Sequence, residues 1–301
     1  MAGIGAAGAA TALVGCGSDQ PIVTPTPSSS VTDADILNFA LNLEYLEAEF
    51  YLRAATGSGL ATADTGSSPG TVTGGTQVTG LTTAQQNILN EIAYDEQQHV
   101  RFLRSALGSA AVSRPAIDLS ASFNALASAA GIGATFNPFS NFNTFLVGAF
   151  IFEDVGVTAY AGAAPLLSTA GITAGYLTAA AGIMAVEAYH AAYVRTVLTA
   201  GAIAQGTTTF PYLTYANQVA TLRATLGGSN ETQLTVPTGT TTATTIVTPS
   251  AIVAATSANA IAYARTTDQV LHIVYGSSTV GVSKGAFFPN GLNGNITVAK
   301  S

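Results

Sequence analysis

The stretch Glu96-Gln97-Gln98-His99 returns as Glu187-Ala188-Tyr189-His190, and these two copies hold two of the chain's three histidines. A carboxylate and an imidazole three residues apart on a helix lie on one face, close enough to grip one metal ion. The likeness runs further, because Arg104 and Arg195 each follow their histidine by five residues. Upstream of each copy a Glu precedes a Tyr by seven residues: Glu44 with Tyr51, and Glu153 with Tyr160. Seven residues is about two helical turns, so each pair shares a face. The order is Glu…Tyr, ExxH, Glu…Tyr, ExxH. It restricts the chain to four helices that offer ligands to one interior point, the design of a carboxylate-bridged dinuclear metal site in a bundle.

Composition sharpens that reading. Only 8% of residues are charged against 48% hydrophobic, so each charge is informative where a soluble domain normally has about 25%. Most of the sixteen acids fall at 33–49, 91–96, 153–154 and 187, around the residues just named. A net charge of −7 with nine Lys plus Arg excludes an electrostatic nucleic-acid binder. The single cysteine excludes an intrachain disulfide.

Residues 2–15 are small, apolar and uncharged, too short to span a membrane but suited to the core of a signal peptide. They end in Leu13-Val14-Gly15-Cys16, which resembles a lipoprotein lipobox. The expectation is an exported chain, periplasmic or on the outer surface, that meets a membrane only through a lipid anchor on Cys16. No Lys or Arg precedes the apolar run, so the true start lies upstream or the segment is an Ala/Gly-rich disordered leader. Segments 1–16 (leader) and 17–31 (Pro/Ser/Thr linker) then precede a bundle over 32–205 and a C-terminal extension over 206–301.

A first helix is expected from Thr32, capped with Asp35, to Gly57. Its Leu37, Leu41, Glu44, Ala48 and Tyr51 form one seam, and an acid there is costly unless paired or metal-bound. Glu47 also lies on an apolar row, with Ala40, Leu43 and Phe50, and spacing alone does not choose between the two acids. The repeated Tyr selects Glu44, since Ala54 stands seven residues after Glu47. A second helix starts near Thr83, with Gln86 completing a capping box, and runs to Leu107. It turns Glu96 and His99 inward with Leu89, Ile92 and Leu103, and leaves Asp95 about 100° round, beside the site or on the surface. A long crossover with a short helix near 120–130 leads to a third, almost wholly apolar helix over 141–163. The fourth runs from Thr173 to Ala200. A further short helix is expected at 211–226, low complexity at 234–249, and short strands or irregular chain after 250, where Val270–Tyr275 alternates weakly. His272 has only Asp268 as an acidic neighbour and reads as structural.

The stretches LNFALNLEYLEAEFY, EIAYDEQQHVRFLR, FEDVGVTAYAGAA and EAYHAAYVRTVL resemble the ferritin-like superfamily, in particular the ferritin-like domain of desiccation-related proteins. The resemblance implies an all-α, ferritin-like four-helix bundle with a long crossover, plus a Thr/Gly-rich extension of short helix and irregular or β segments. It implies Glu44 and Glu153 as single-Glu ligands, Glu96 and Glu187 as bridging carboxylates, and His99 and His190 as the caps of two metals. Tyr51 and Tyr160 would sit beside the site as hydrogen-bond or redox partners. Arg104 and Arg195 have Asp95 and Asp154 as candidate partners.

Four Glu and two His suit two Fe or Mn ions better than a tetrahedral zinc. The expected activity is oxidase, ferroxidase or peroxide scavenging in stress protection, with O2 or peroxide as substrate; a homo-oligomer is compatible with it. The alternative is a non-enzymatic desiccation- or stress-related envelope protein whose metal site is structural or vestigial. Bulk iron storage is not expected of so acid-poor a chain.

Overall fold

A computed structural model describes residues 31–236 and 252–301. The leader, nearly all of the linker and most of the Thr-rich stretch therefore lie outside the described residues. Four long helices form the bundle: α1 (Asp33–Thr56), α2 (Thr83–Leu107), α4 (Phe142–Ala163) and α6 (Tyr176–Gln205). Helix α1 packs on α2 and α4 on α6. Between the two pairs run a two-stranded parallel ladder, β1 (Val72–Gly74) with β2 (Ile117–Leu119), and helix α3 (Ala121–Ala129). This is the ferritin-like arrangement, two helical hairpins joined by a long crossover.

Local chemistry sets the helix ends. The Thr32 side chain accepts from the Asp35 amide while the Asp35 carboxylate accepts from the Thr32 amide, and Gly57 closes α1 at φ 80°. The α2 box is Thr82 with Gln85, one residue earlier than Thr83 with Gln86. Gln86 is instead drawn into tertiary contact, donating to the carbonyl of Ala55. The fourth helix, expected from Thr173 to Ala200, runs unbroken as α6, and a short α5 (Thr169–Thr173) precedes it. Gly175, at φ 90°, turns the chain between them in a conformation costly for other residues.

Helix α4 is long and apolar enough to cross a membrane, but 89% of its apolar window is buried inside the protein. It is the central helix of the core. Helices α1, α6 and α7 (Tyr212–Gly227) pack around it, and α3 lies against α7.

The C-terminal part closes over this core. Val270–Tyr275 belongs to a helix, α8 (Thr267–Tyr275), not to a strand. The reason is local: Thr266 and Gln269 form a capping box and Gly276 a left-handed C-cap, while all six residues are buried, so no solvent face exists to define alternation. Phe287 inserts between Phe152 and Phe123, with ring centroids 4.8 and 5.1 Å away. Asn293 and Asn42 exchange hydrogen bonds of 2.8 and 2.9 Å, and Asn295 donates to Asp35 at 2.7 Å. Thus α1 is buried almost all round. His272 is structural as expected, its two ring nitrogens lying 2.6 and 2.9 Å from the carbonyl oxygens of Ser277 and Ser301.

A buried ion chain ties the extension to α4. Asp154 accepts from Arg195 of α6 at 2.9 Å and from Arg223 of α7 at 3.0 Å. Arg223 reaches Glu231 at 2.8 Å, and Arg265 meets the other oxygen of Glu231 at 2.6 Å. Arg195 therefore does find Asp154, whereas Arg104 donates to the Tyr45 hydroxyl at 2.7 Å. The repeated arginines do different things.

Candidate metal centre

Each long helix brings its acid to the bundle axis, and the two ExxH helices bring their histidines as well. Glu44 comes from α1, Glu96 and His99 from α2, Glu153 from α4, and Glu187 and His190 from α6; all six are buried. Their ligand atoms gather in two groups, each within 4.8 Å: Glu44, Glu96, His99 and Glu187, and then Glu96, Glu153 and His190. Glu96 is common to both. One of its oxygens lies 3.4 Å from Nδ1 of His99 and the other 3.0 Å from Nδ1 of His190. That is the placement of a bridge. Glu187, the second bridge implied by the family resemblance, joins only the first group, 3.5 Å from His99.

Outer contacts hold several of these side chains in place. The Tyr51 hydroxyl of α1 donates to Glu153 of α4, and the Tyr160 hydroxyl of α4 donates to Glu44 of α1. The two hairpins are thus cross-tied reciprocally, and each tyrosine engages one oxygen and leaves the other turned inward. Asp95 lies 3.2 Å from Nε2 of His190. This contact selects the tautomer with Nδ1 free to bind a metal.

The donor set fits a metal pair. Both oxygens of Glu96 and of Glu187, Oε2 of Glu153 and Nδ1 of His190 are buried without an aligned hydrogen bond. Such atoms cost about 1–3 kcal/mol each when left unsatisfied. Six such atoms from one cluster could hold metal ions, and four carboxylates would balance two divalent ones.

Without cations the site must hold its charge by protonation. Burial would keep Glu96 neutral, but contacts with His190 and His99 outweigh it and hold the carboxyl at about 2. Burial, then the Glu96 charge, pushes Glu187 up to about 8. Burial opposes the imidazolium of His190, yet Glu153 and Glu96 raise it to about 10. His99 is likewise raised, by Glu44, Glu187 and Glu96 against its burial. At pH 7 the metal-free site therefore carries protons on Glu187, His99 and His190, and burial raises the carboxyls of Glu153 and Glu44 as well. Loading with Mn²⁺ at pH 7 is expected to release several protons per chain. A pH indicator in weak buffer reads this directly, and release near zero would show that the site is not assembled as described.

The sign for stability follows from linkage. Glu187 and His190 both have raised folded values, so their contributions are complete below 4.5 and 6.5 and are lost as pH rises toward about 8 and 10. The metal-free protein weakens across that range while its affinity for metal grows.

One residue at the centre was set aside in the sequence. Glu47 is buried, and among the described residues it has no hydrogen bond or ion pair. Burial, then the charges of Glu187 and Glu96, raises its carboxyl well above the ordinary range. The available signal was its place on an apolar row with no nearby cation. Glu49, the third buried acid of α1, is accounted for by Arg53 at 2.9 Å and by Arg114.

A family model described as a ferritin-like domain matches residues 32–200, the span that carries all six candidate ligands. The chain is 31% identical over 277 residues to the ferritin-like catalase Nec2 of Nesocodon mauritianus, covering 88% of this chain and 84% of that protein. It is 34% identical over 176 residues to the desiccation-related protein PCC13-62 of Craterostigma plantagineum, covering 56% of this chain and 53% of that protein. Four helices, two ExxH ligand pairs and a family match over more than half of its length agree: the chain belongs to the ferritin-like domain family.

Proposed function

We propose that this chain binds a dinuclear Fe or Mn centre and uses it to remove peroxide. The observation that carries the reading is the convergence of unsatisfied buried ligand atoms from Glu96, Glu153, Glu187 and His190 at the crossing of four helices. The likeness to a ferritin-like catalase along most of both chains favours peroxide over other oxidants. Glu44, Glu96, His99, Glu153, Glu187 and His190 hold the ions. Tyr51 and Tyr160 fix the outer oxygens of Glu153 and Glu44, and Asp95 fixes His190. When bound, the metals supply a two-electron couple that cycles as peroxide is converted to water and dioxygen. The apolar core around the site keeps bulk water away from the redox centre. Export by the 1–16 leader, with lipid attachment at Cys16, belongs to the same proposal.

The test is dioxygen evolution from hydrogen peroxide by protein reconstituted with Mn or Fe. The metal-loaded chain is expected to evolve dioxygen, and a His190→Ala variant to lose both metal and activity. A loaded protein that is more heat-stable than the metal-free form yet leaves peroxide untouched would replace this reading with the structural one, in which the ions staple the bundle.

A further inference from the structure

Among the described residues, the centre meets solvent on its imidazole side. Glu44, Glu96, Glu187 and Glu153 are at most 1% exposed, whereas His99 and His190 keep 8% and 6% of their surface. Both imidazoles lie where α2 and α6 face each other: His99 is 3.5 Å from Glu187 of α6, and His190 is 3.0 Å from Glu96 of α2. These helices belong to different hairpins and approach each other at few residues. The opposite edge of α2 is taken by α1, where Arg104 donates to Tyr45 and Gln86 to the carbonyl of Ala55. On the α6 edge stands Asp95, its side chain 32% exposed and 3.2 Å from Nε2 of His190. Glu91 lies one helical turn earlier, so the two carboxylates share that edge. Glu91 is the one exposed acid among the described residues, and it has no hydrogen bond or ion pair there.

We propose that this seam is the entry route for the metal: a divalent cation is captured at Glu91 and Asp95 and passes between the imidazoles to the ligand atoms inside. The inference rests on the metal-centre reading above and adds how the ions arrive. Two like charges four residues apart on a helix repel each other, and no Lys or Arg pairs with either acid among the described residues. A divalent cation between them turns that repulsion into attraction, and carboxylate oxygens are the donors a hard, hydrated cation accepts. Behind this lip stand buried atoms without an aligned hydrogen bond: Nδ1 of His190 and both oxygens of Glu96 and of Glu187. An ion leaving one exposed and one half-exposed acid therefore moves toward more numerous donors at every step. Approach from the other sides is blocked, because the Tyr51 and Tyr160 hydroxyls occupy the outer oxygens of Glu153 and Glu44 within the apolar core. An exposed carboxylate pair acts on cations through its field, an effect on rate that salt removes.

The experiment is Co²⁺ uptake by the metal-free full chain at low ionic strength, followed by stopped-flow absorption, with final metal content measured in parallel. Glu91→Gln removes the outer charge and Glu91→Lys reverses it. Asp268→Asn removes one charge from α8, which packs on α4 and α7, away from the seam. Uptake is expected to slow about threefold in Glu91→Gln and about tenfold or more in Glu91→Lys, with final metal content as in wild type. Asp268→Asn should load at the wild-type rate, and in about 1 M salt the rates of all the chains should converge. Wild-type rates in both Glu91 variants would overturn the proposal. Equal slowing in Asp268→Asn would overturn it too, by tracing the effect to net charge. Loss of bound metal in Glu91→Gln would overturn it differently, by making Glu91 a ligand. A wild-type chain that takes up no Co²⁺ sinks the metal-centre reading itself, and this inference with it.

Discussion

Glu96→Gln and Glu187→Gln should each reduce bound metal from about two ions per chain to a small fraction of that, yet they should move the metal-free protein in opposite ways. Glu96 belongs to both ligand groups, so its loss removes a donor from each ion at once. In the metal-free state it is also the anion that the two imidazoles need. A carboxyl held at about 2 against an ordinary 4.5 prefers its ionised form by about 3 kcal/mol. Glutamine mimics the protonated form, so Glu96→Gln should lose stability of that order at pH 7. The Glu96 contribution is present above pH 4.5 and is lost as pH falls toward 2.

Glu187 has the opposite sign. Its carboxyl sits at about 8, so at pH 7 it is protonated in the folded chain but ionised in the unfolded one, and Glu187→Gln should raise metal-free stability at that pH. It should also flatten the decline between pH 4.5 and 8. Elemental analysis and urea unfolding of chelator-treated protein, at several pH values, check both halves. Equal losses in the two metal-free variants would contradict the electrostatic account.

The second large effect lies outside the metal centre, in the ion chain that begins at Asp154. Replacing Asp154 by Asn leaves Arg195 and Arg223 buried around a neutral group, and removing one member of a buried pair costs about 3–5 kcal/mol. For a chain of this size that lowers Tm by about 10 °C. Arg223→Met should cost a similar amount, because Asp154 and Glu231 then face each other's side of a gap with one fewer cation. Combining the two should cost clearly less than their sum, since the second change removes a charge the first had stranded. Thermal unfolding of the two single variants and the double, followed by circular dichroism, reads this; strict additivity would mean the pair does not act as a unit. Metal binding should survive at low temperature, because neither side chain is a ligand.

The bundle was legible because the chain spends so few charges. An acid at Glu44 or Glu153 stands out on an apolar helix, and the ExxH repeat then pairs the helices. Ligand residues on four segments are visible in one dimension because each needs a specific residue type at a helical spacing. What surrounds them is less visible. Glu47 was passed over because the Tyr spacing favours its neighbour, and its closeness to Glu187 exists only once α1 and α6 are brought together. The Arg265–Glu231–Arg223–Asp154 chain joins residues far apart in sequence, with no periodicity to announce it. Helix α8 was misread because six buried residues show no solvent face. Its capping box, Thr266 with Gln269, was the better guide. The misplaced start of α2 has a smaller cause: Thr82-Thr83 and Gln85-Gln86 offer two boxes in adjacent registers.

The ion chain also sets an order for how this molecule comes into being. A ribosome delivers all four bundle helices by Gln205, but Asp154 receives its full set of partners only after Arg223 has emerged, and the chain is completed only by Arg265. At about 5–20 residues per second, Arg265 follows the end of the bundle by several seconds. During that interval the helix bearing Glu153 carries a half-paired acid beside the metal centre, and the groove later filled by Phe287 stands open to water. A nascent chain stalled in this window lacks the segment that covers its core, so closure of that core waits on the C-terminal end.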